Sequence, residues 1–217
     1  LVQDCDMSMT NCHNKGDILF TQAGAVGNTI QLAGLMDAIS GSSGAIYDGC
    51  TVGGNISVAC VVGGSIYVGG FFYNIEANCI VRNCELKGNI HITPTAITAG
   101  SDYLGGVVGN TSMDDASSVA VENCINNGDL TFTVQGASKN VYLGGISGAC
   151  NSRGVINNCI NNGAVVYNFI AGGSGAYPNV GGIVGYQNSG YIHQSYSNAN
   201  VIASNATNAY AGGITGM

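Results

Sequence analysis

The segments Val121-Glu122-Asn123-Cys124-Ile125-Asn126-Asn127-Gly128 and Ile156-Asn157-Asn158-Cys159-Ile160-Asn161-Asn162-Gly163 are near copies of one pattern, in which a cysteine is followed four residues later by a glycine. The same pair of residues recurs three times earlier in the chain, at Cys12/Gly16, Cys50/Gly54 and Cys84/Gly88. The five cysteines are separated by 38, 34, 40 and 35 residues, and a degenerate copy, Ser195/Ala199, follows 36 residues after the last. Self-similarity at a fixed period of this size is typical of repeat proteins, so this pattern decides the fold.

A second anchor alternates with the first and consists of two small residues followed by an apolar one. Its copies are Ala33-Gly34-Leu35, Gly69-Gly70-Phe71, Gly105-Gly106-Val107, Gly144-Gly145-Ile146, Gly181-Gly182-Ile183 and Gly212-Gly213-Ile214. Six units of about 36 residues therefore account for the 217 residues of the chain.

Within each unit, apolar residues stand six and eight positions after the cysteine, and this spacing of two indicates a strand with one buried face. The residues at the sixth position are Ile18, Ile56, Ile90, Leu130, Val165 and Val201. The glycine four residues after the cysteine predicts a turn in which glycine takes a positive φ. Each unit is thus interpreted as three short strands and a linking segment of 8 to 13 residues, whose variation predicts loops on one side.

A unit of three short strands cannot bury its own apolar face, but stacked units can, with each strand pairing in parallel with its copy one period away. The predicted fold is therefore all-β, a right-handed parallel β-solenoid of about six coils of about 36 residues each. We interpret residues 1–217 as a single repeat domain and as a segment of a longer repeat array. An antiparallel sandwich would give no reason for the long period.

The charge of the chain limits its partners. Five Lys and Arg against 12 Asp and Glu give a net charge of -7, which argues against binding nucleic acid or an anionic membrane surface. No apolar run approaches the length needed to cross a bilayer, so no membrane insertion of this segment is expected.

The glycine pairs carry a resemblance to a known family. Gly105-Gly106-Val107-Val108-Gly109 and its copies at 144–148, 181–185 and 212–216 resemble the GLUG repeat. That motif occurs in large bacterial surface proteins, including adhesin-like proteins and the non-catalytic regions of immunoglobulin A1-cleaving metallopeptidases. The resemblance covers residues 105–217 well and 1–104 loosely, and it implies a surface scaffold without implying a chemistry.

The cysteines are interpreted as an inward structural ladder formed by one repeat position: Cys12, Cys50, Cys84, Cys124 and Cys159. Zinc ligands cluster two to four residues apart, which these do not, and free cysteine commonly packs as a small apolar residue. No metal and no cofactor are therefore expected. Cys60, Cys79 and Cys150 lie off the ladder, and one disulfide among them or with Cys5 is left open.

No catalytic constellation is found, and the chain is not expected to be an enzyme. His13, His91 and His193 occupy different repeat positions and so cannot stack into one cluster. The candidate carboxylate groups for a polysaccharide-cleaving site, Asp4/Asp6 and Asp102 with Asp114/Asp115, have no basic residue gathered near them in the sequence pattern.

Four tyrosines precede glycine pairs and could line one face for contact with sugars or proteins: Tyr103, Tyr142, Tyr177 and Tyr210. Packing over the apolar surface of their own loops is the alternative. The predicted function is a non-catalytic extracellular or cell-surface scaffold, an adhesin-like stalk or binding module. Its partners would be itself through end-to-end stacking, a host or cell-surface protein, or a glycan. The alternatives are a self-assembling extracellular fibre subunit and, in another class, a carbohydrate-active β-helix enzyme.

Overall fold

The structure is a computed structural model that describes residues 8–26, 29–39, 44–75, 78–97, 100–111, 119–135, 140–151, 153–170, 177–206 and 208–217. These residues form 29 strands and no helix. Accordingly, no helix among them has the length and apolar character to cross a membrane.

The strands recur in groups of five, one group for each repeat of the sequence. Repeat 1 contains β1 (Met9–Thr10), β2 (His13–Asn14), β3 (Ile18–Val26), β4 (Ile30–Ala33) and β5 (Ala38–Ile39). Repeat 2 contains β6 (Ala45–Asp48), β7 (Thr51–Val52), β8 (Ile56–Val62), β9 (Ile66–Gly69) and β10 (Phe72–Ile75). Repeat 3 contains β11 (Cys79–Arg82), β12 (Glu85–Leu86), β13 (Ile90–Ile97), β14 (Ser101–Gly105) and β15 (Val108–Thr111).

The second half of the chain repeats this order. Repeat 4 contains β16 (Val119–Glu122), β17 (Ile125–Asn126), β18 (Leu130–Val134), β19 (Asn140–Gly144) and β20 (Ser147–Asn151). Repeat 5 contains β21 (Val155–Asn157), β22 (Ile160–Asn161), β23 (Val165–Phe169), β24 (Tyr177–Gly181) and β25 (Val184–Asn188). Repeat 6 contains β26 (Tyr191–His193), β27 (Tyr196–Ser197), β28 (Val201–Ser204) and β29 (Tyr210–Gly212).

Equivalent strands of successive repeats pair in parallel and form five sheets, which we call A to E in their order along a repeat. The register follows the sequence period: in sheet A, Met9 pairs with Tyr47, Tyr47 with Val81, and Val81 with Val121. The prediction of an all-β parallel solenoid with residues one period apart in vertical columns is therefore confirmed.

Two details of the prediction are wrong. Each complete repeat has five strands instead of three, because the segments between the two anchors contain strands of their own. Repeats 2 to 5 pair with a neighbouring repeat on both sides in the described residues, so about four turns of the solenoid are fully covered, instead of the predicted six. Repeats 1 and 6 lie at its ends and are covered on one side only, and the described part of repeat 6 adds no strand to the five-stranded sheet E.

The core consists of the columns predicted from the spacing of two. The residues six positions after each cysteine lie in one column of sheet C, where Ile56, Ile90, Leu130 and Val165 are fully buried. At the two ends of the column, Ile18 and Val201 are only half-buried, because each lacks a neighbour on one side.

The glycine pairs form the corner between sheets D and E. The first glycine ends the sheet D strand, and at the second a Cβ would overlap the carbonyl oxygen of the equivalent glycine one repeat later, as Gly106 would with Gly145. The Cβ would also press on the inward side chain of sheet B: Val52 faces Gly34, Leu86 faces Gly70, and Asn126 faces Gly106. Glycine is therefore required where the two anchors of the repeat meet across the interior.

The glycines four residues after each cysteine do not take positive φ, which corrects the predicted turn. At Gly54, Gly88, Gly128 and Gly163 a Cβ would overlap the backbone of the preceding repeat, so close approach explains the glycine. The left-handed residue is instead the one directly before the cysteine position. Its φ lies between 44° and 65° at Asn11, Gly49, Asn83, Asn123, Asn158 and Gln194. Asparagine and glycine adopt this conformation at little cost.

Candidate functional site

The predicted cysteine ladder lies at the corner between sheets A and B, where the left-handed residue turns the chain. Cys50, Cys84, Cys124 and Cys159 are buried, and Cys12 at the end of the column is half-buried. Backbone bonds fix the register: Thr51 N donates to Cys12 O, and Ile125 N donates to Cys84 O. Ser195 ends the column, and its Oγ accepts a hydrogen bond from Cys159 N at 3.0 Å.

Each thiol in the column has one proton to donate, and the buried thiols have two backbone carbonyls within reach of it. Cys124 Sγ lies 3.3 Å from Glu122 O and 3.5 Å from Val81 O of the preceding repeat. Cys159 Sγ repeats this geometry with Asn157 O and Val121 O, both at 3.4 Å. The thiols thus link successive repeats as well as filling the corner.

Burial raises the pKa of two thiols of the column, that of Cys50 to about 11 and, together with the neighbouring thiols, that of Cys124 well above its usual value. A hydrogen bond with the Cys124 thiol lowers the pKa of Cys84 and that of Cys159. Since the thiolate is the form that attacks electrophiles and binds metals, Cys50 and Cys124 are chemically quiet at neutral pH. The arrangement of the column suits packing.

The cysteines off the ladder are also reduced and buried. Burial raises the pKa of Cys79 to about 12 and that of Cys150 to about 11, and Cys60 is likewise buried. All eight described cysteines are free, and Cys5 lies outside the described residues. Within the described ranges, no group of three or more His, Cys, Asp or Glu side chains could hold a metal ion.

The four predicted tyrosines lie on one face of sheet D, but in two columns. Tyr103 pairs with Tyr142, and Tyr210 stands in the same column below Asn179. Tyr177 pairs with Asn140, two positions earlier along the strand. Tyr177 and Tyr210 are 46% and 50% exposed, whereas Tyr103 and Tyr142 are half-buried.

The half-buried tyrosines form a stack that sequence reasoning missed in part. Ring centroids lie 5.1 Å apart for Tyr67 and Tyr103, 4.9 Å for Tyr103 and Tyr142, and 4.8 Å for Tyr142 and Tyr186 of sheet E. Burial and the adjacent phenols raise the pKa of both Tyr103 and Tyr142. Tyr67 carried a usable signal, because it stands two residues before a glycine pair, as Tyr103 and Tyr142 do.

The stack leaves little of these ring faces for a ligand. Tyr103 has a tyrosine ring on each side, and Tyr142 lies between Tyr103 and Tyr186. Sugar rings stack on open aromatic faces, so Tyr177 and Tyr210 are the better candidates for contact with a partner.

The candidate catalytic residues remain apart. His13, His91 and His193 are exposed on sheets B, C and A respectively. Asp102 is fully buried in sheet D, where its Oδ1 accepts a hydrogen bond from Ile66 N at 2.8 Å. Asp4, Asp6, Asp114 and Asp115 lie outside the described residues.

Comparison of the chain with protein-family models, with curated proteins and with solved structures found no match. The resemblance to the GLUG repeat therefore stays a prediction that rests on the glycine motifs.

Proposed function

We propose that this chain is a non-catalytic repeat scaffold of an extracellular or cell-surface protein. The observation that carries the proposal is the contrast between its inward and outward columns. The inward column of sheet C is aliphatic in every repeat. The outward column one residue along mixes aliphatic, hydroxyl and imidazole side chains: Leu19, Ser57, His91, Thr131, Val166 and Ile202.

An aliphatic inward column, formed by the residues six positions after the cysteine, beside a varied outward column suits a rod that presents contacts at fixed heights. The described ionisable groups support this over an enzyme, because their close pairs are simple ion pairs: Arg82 with Asp48 at 2.9 Å and Lys87 with Glu85 at 3.2 Å. The burial of the thiols would also protect them from oxidation outside the cell.

The location is tested by labelling intact cells of the source organism with an antibody raised against the folded chain. The proposal expects labelling without lysis. Labelling that appears only after lysis would contradict it.

The scaffold and enzyme alternatives are separated by incubating the chain with a panel of polysaccharides while measuring both binding and the release of new sugar ends. The scaffold proposal expects binding without release. The Tyr177→Ser and Tyr210→Ser double variant should weaken such binding. Tyr191→Ser is the matched control, because Tyr191 is 58% exposed but belongs to sheet A.

The end-to-end fibre is a second candidate and would form through the strand edge of repeat 6. The inward Ile192 and Val201 of that repeat are only half-buried, because no further strand covers them in the described residues. Strand edges of this kind pair readily with a further strand.

Gly213 gives a sharp test of stacking. A Cβ at Gly213 meets nothing within 4 Å, whereas the equivalent Gly182 lies against Gly213 O. Gly213→Val should therefore leave the isolated rod folded and block the addition of another repeat. Filaments seen by negative-stain microscopy that persist in Gly213→Val would contradict stacking through this edge.

A further inference from the structure

The outward face of sheet B carries a groove of about 360 Å³ lined by His13, Asn14, Lys15, Thr51, Gly53 and Lys87. Asn14 pairs with Val52, and Val52 with Leu86. The next residues, Lys15, Gly53 and Lys87, therefore form one outward column. The two lysines lie two strand spacings apart, roughly 10 Å between their Cα atoms, with a glycine between them.

The concentration of positive charge here is unusual for this chain. It has only five Lys and Arg residues and a net charge of -7. Of the described basic residues, Arg82 is bonded to Asp48 and Arg153 is exposed in repeat 5. The other two line this one groove together with His13.

Gly53 opens the space between the lysines. It is exposed, its N–H donates to Asn14 O at 2.7 Å, and it has no side chain to fill the column. Lysine carries a compact charge on a flexible four-carbon stem, so both ammonium groups can turn toward a ligand seated over Gly53. Thr51 adds a hydroxyl group at the floor of the groove.

We propose that this groove binds an oxyanion, either a free sulfate or phosphate ion or the sulfate or carboxylate group of an acidic polysaccharide. Lys15 and Lys87 supply the charge, and Thr51 donates a hydrogen bond. The site does not depend on the chain being a surface scaffold.

Glu85 competes with the ligand for one of the lysines. Its Oε2 lies 3.2 Å from Lys87 Nζ, and its Oε1 accepts from Asn127 Nδ2 at 2.8 Å. An arriving anion must draw Lys87 away from this carboxylate. Glu85→Gln should therefore bind the anion several-fold more tightly than the unaltered chain.

The direct test is an amide NMR titration with sulfate and then phosphate, at an ionic strength held constant with chloride. We expect saturable shifts at His13, Lys15, Thr51, Gly53 and Lys87. The Lys15→Gln and Lys87→Gln double variant should weaken binding at least about tenfold, a loss of about 1.4 kcal/mol. Arg153→Gln is the matched control, since it removes the same charge elsewhere, and it should bind as the unaltered chain does.

Gly53→Asp blocks the groove without disturbing the fold. A Cβ at Gly53 would lie 3.6 Å from Asn14 O, an ordinary contact, and the new carboxylate would sit between the lysines. Abolished binding with an unchanged melting temperature supports the site. Unsaturable shifts, or equal shifts in Gly53→Asp, would overturn it.

Two further titrations, with a short sulfated oligosaccharide and with a short uronate oligosaccharide, test whether the oxyanion is a free ion or a group on a polymer. Binding tighter than that of sulfate alone shows that the site takes a group on a polymer. Binding of the ions alone shows that it takes a free ion.

Discussion

Repeats 2 and 3 have the same strand arrangement as repeats 4 and 5 but carry different side chains at two inward positions. In sheet B the inward residue is Val52 and then Leu86 in the first pair of repeats, but Asn126 and then Asn161 in the second, and all four are fully buried. In sheet C, eight residues after the cysteine, Val58 and Ile92 give way to Phe132 and Tyr167. A polar, smaller side chain in one sheet thus accompanies a larger aromatic one in another.

The comparison shows what a buried amide requires in a stacked fold. Asn126 Nδ2 donates to Asn161 Oδ1 at 2.7 Å, and Asn126 Oδ1 accepts from Gly128 N at 3.0 Å. Asn161 Nδ2 also donates to Gly163 O at 2.9 Å. Because buried polar groups must be bonded, asparagine fits here as a column with its partners, whereas Val52 and Leu86 need none.

The largest expected effect comes from the glycine that faces this position in both regions. In Gly145→Ala the new methyl group would overlap Gly182 O and the Asn161 side-chain amide. We expect the free energy of unfolding to fall by about 3 kcal/mol, the upper range for overpacking, as measured by urea unfolding. Gly53→Ala is the control and should be nearly neutral, because its methyl group has room. Equal stability of the two variants would refute the close approach at the corner.

Exchanging the side chains between the regions has the next largest effect. Leu86→Asn loses the apolar packing of the leucine beside Val52 but places its amide next to Asn126 of the following repeat, so we expect a loss of about 2 kcal/mol. Asn126→Leu should cost about 2 kcal/mol, because it removes the acceptor of Gly128 N and the donor to Asn161 Oδ1.

A double-mutant cycle isolates the bond between the two amides. The Asn126→Leu and Asn161→Leu double variant should lose less stability than the sum of the single variants, by about 1 kcal/mol. If the losses in the free energy of unfolding were strictly additive, the two asparagines would act independently, which would contradict a stabilising hydrogen bond between their amides.

Much of this fold could be predicted because a solenoid turns a sequence period into a spatial column. The cysteine spacing alone aligned Cys84 with Cys124, and the spacing of two placed Ile90 and Ile92 inward. Because these features occur at the same position of every repeat, they reflect a structural requirement and not a chance similarity.

The missed features depend on contacts between successive repeats. The need for glycine at Gly54 comes from the backbone of Gly16, whereas the local turn argument predicted a positive φ there. The left-handed residue had a signal, since Asn or Gly precedes the cysteine in five repeats. The proposed anion groove combines His13, Thr51 and Lys87 from three repeats. Lys15 and Lys87 share one repeat position, so periodicity carried part of the signal, but the other lining residues differ in type.

The thiol column is common to both regions, and alkaline pH tests it. The pKa of Cys50 rises from 9.0 to about 11 on burial, and those of Cys79 and Cys150 rise in the same direction, whereas those of Cys84 and Cys159 are lowered by a hydrogen bond with Cys124 and oppose the loss of stability at high pH. Between these values the unfolded chain loses thiol protons that the folded chain keeps, so stability is full below pH 9 and falls as the pH rises toward 11. Urea midpoints measured across this range should decline, and Cys50→Ala should show a shallower decline. The same pH dependence in Cys50→Ala and in the unaltered chain would contradict the raised pKa of Cys50.

The smallest expected effect has the opposite sign and concerns the aromatic pair of repeats 4 and 5. The rings of Phe132 and Tyr167 stack with centroids 6.0 Å apart, and the buried Tyr167 hydroxyl has no hydrogen-bond partner in the described part of the chain. Tyr167→Phe removes this hydroxyl and keeps the ring, so it should raise the free energy of unfolding by about 1 kcal/mol. Phe132→Tyr is the converse and should destabilise by a similar amount, since it adds a second buried hydroxyl to the same column. A loss of stability in Tyr167→Phe would show that the hydroxyl is hydrogen-bonded in solution. Tyr167 would then join Asn126 and Asn161 as a bonded polar residue of the core.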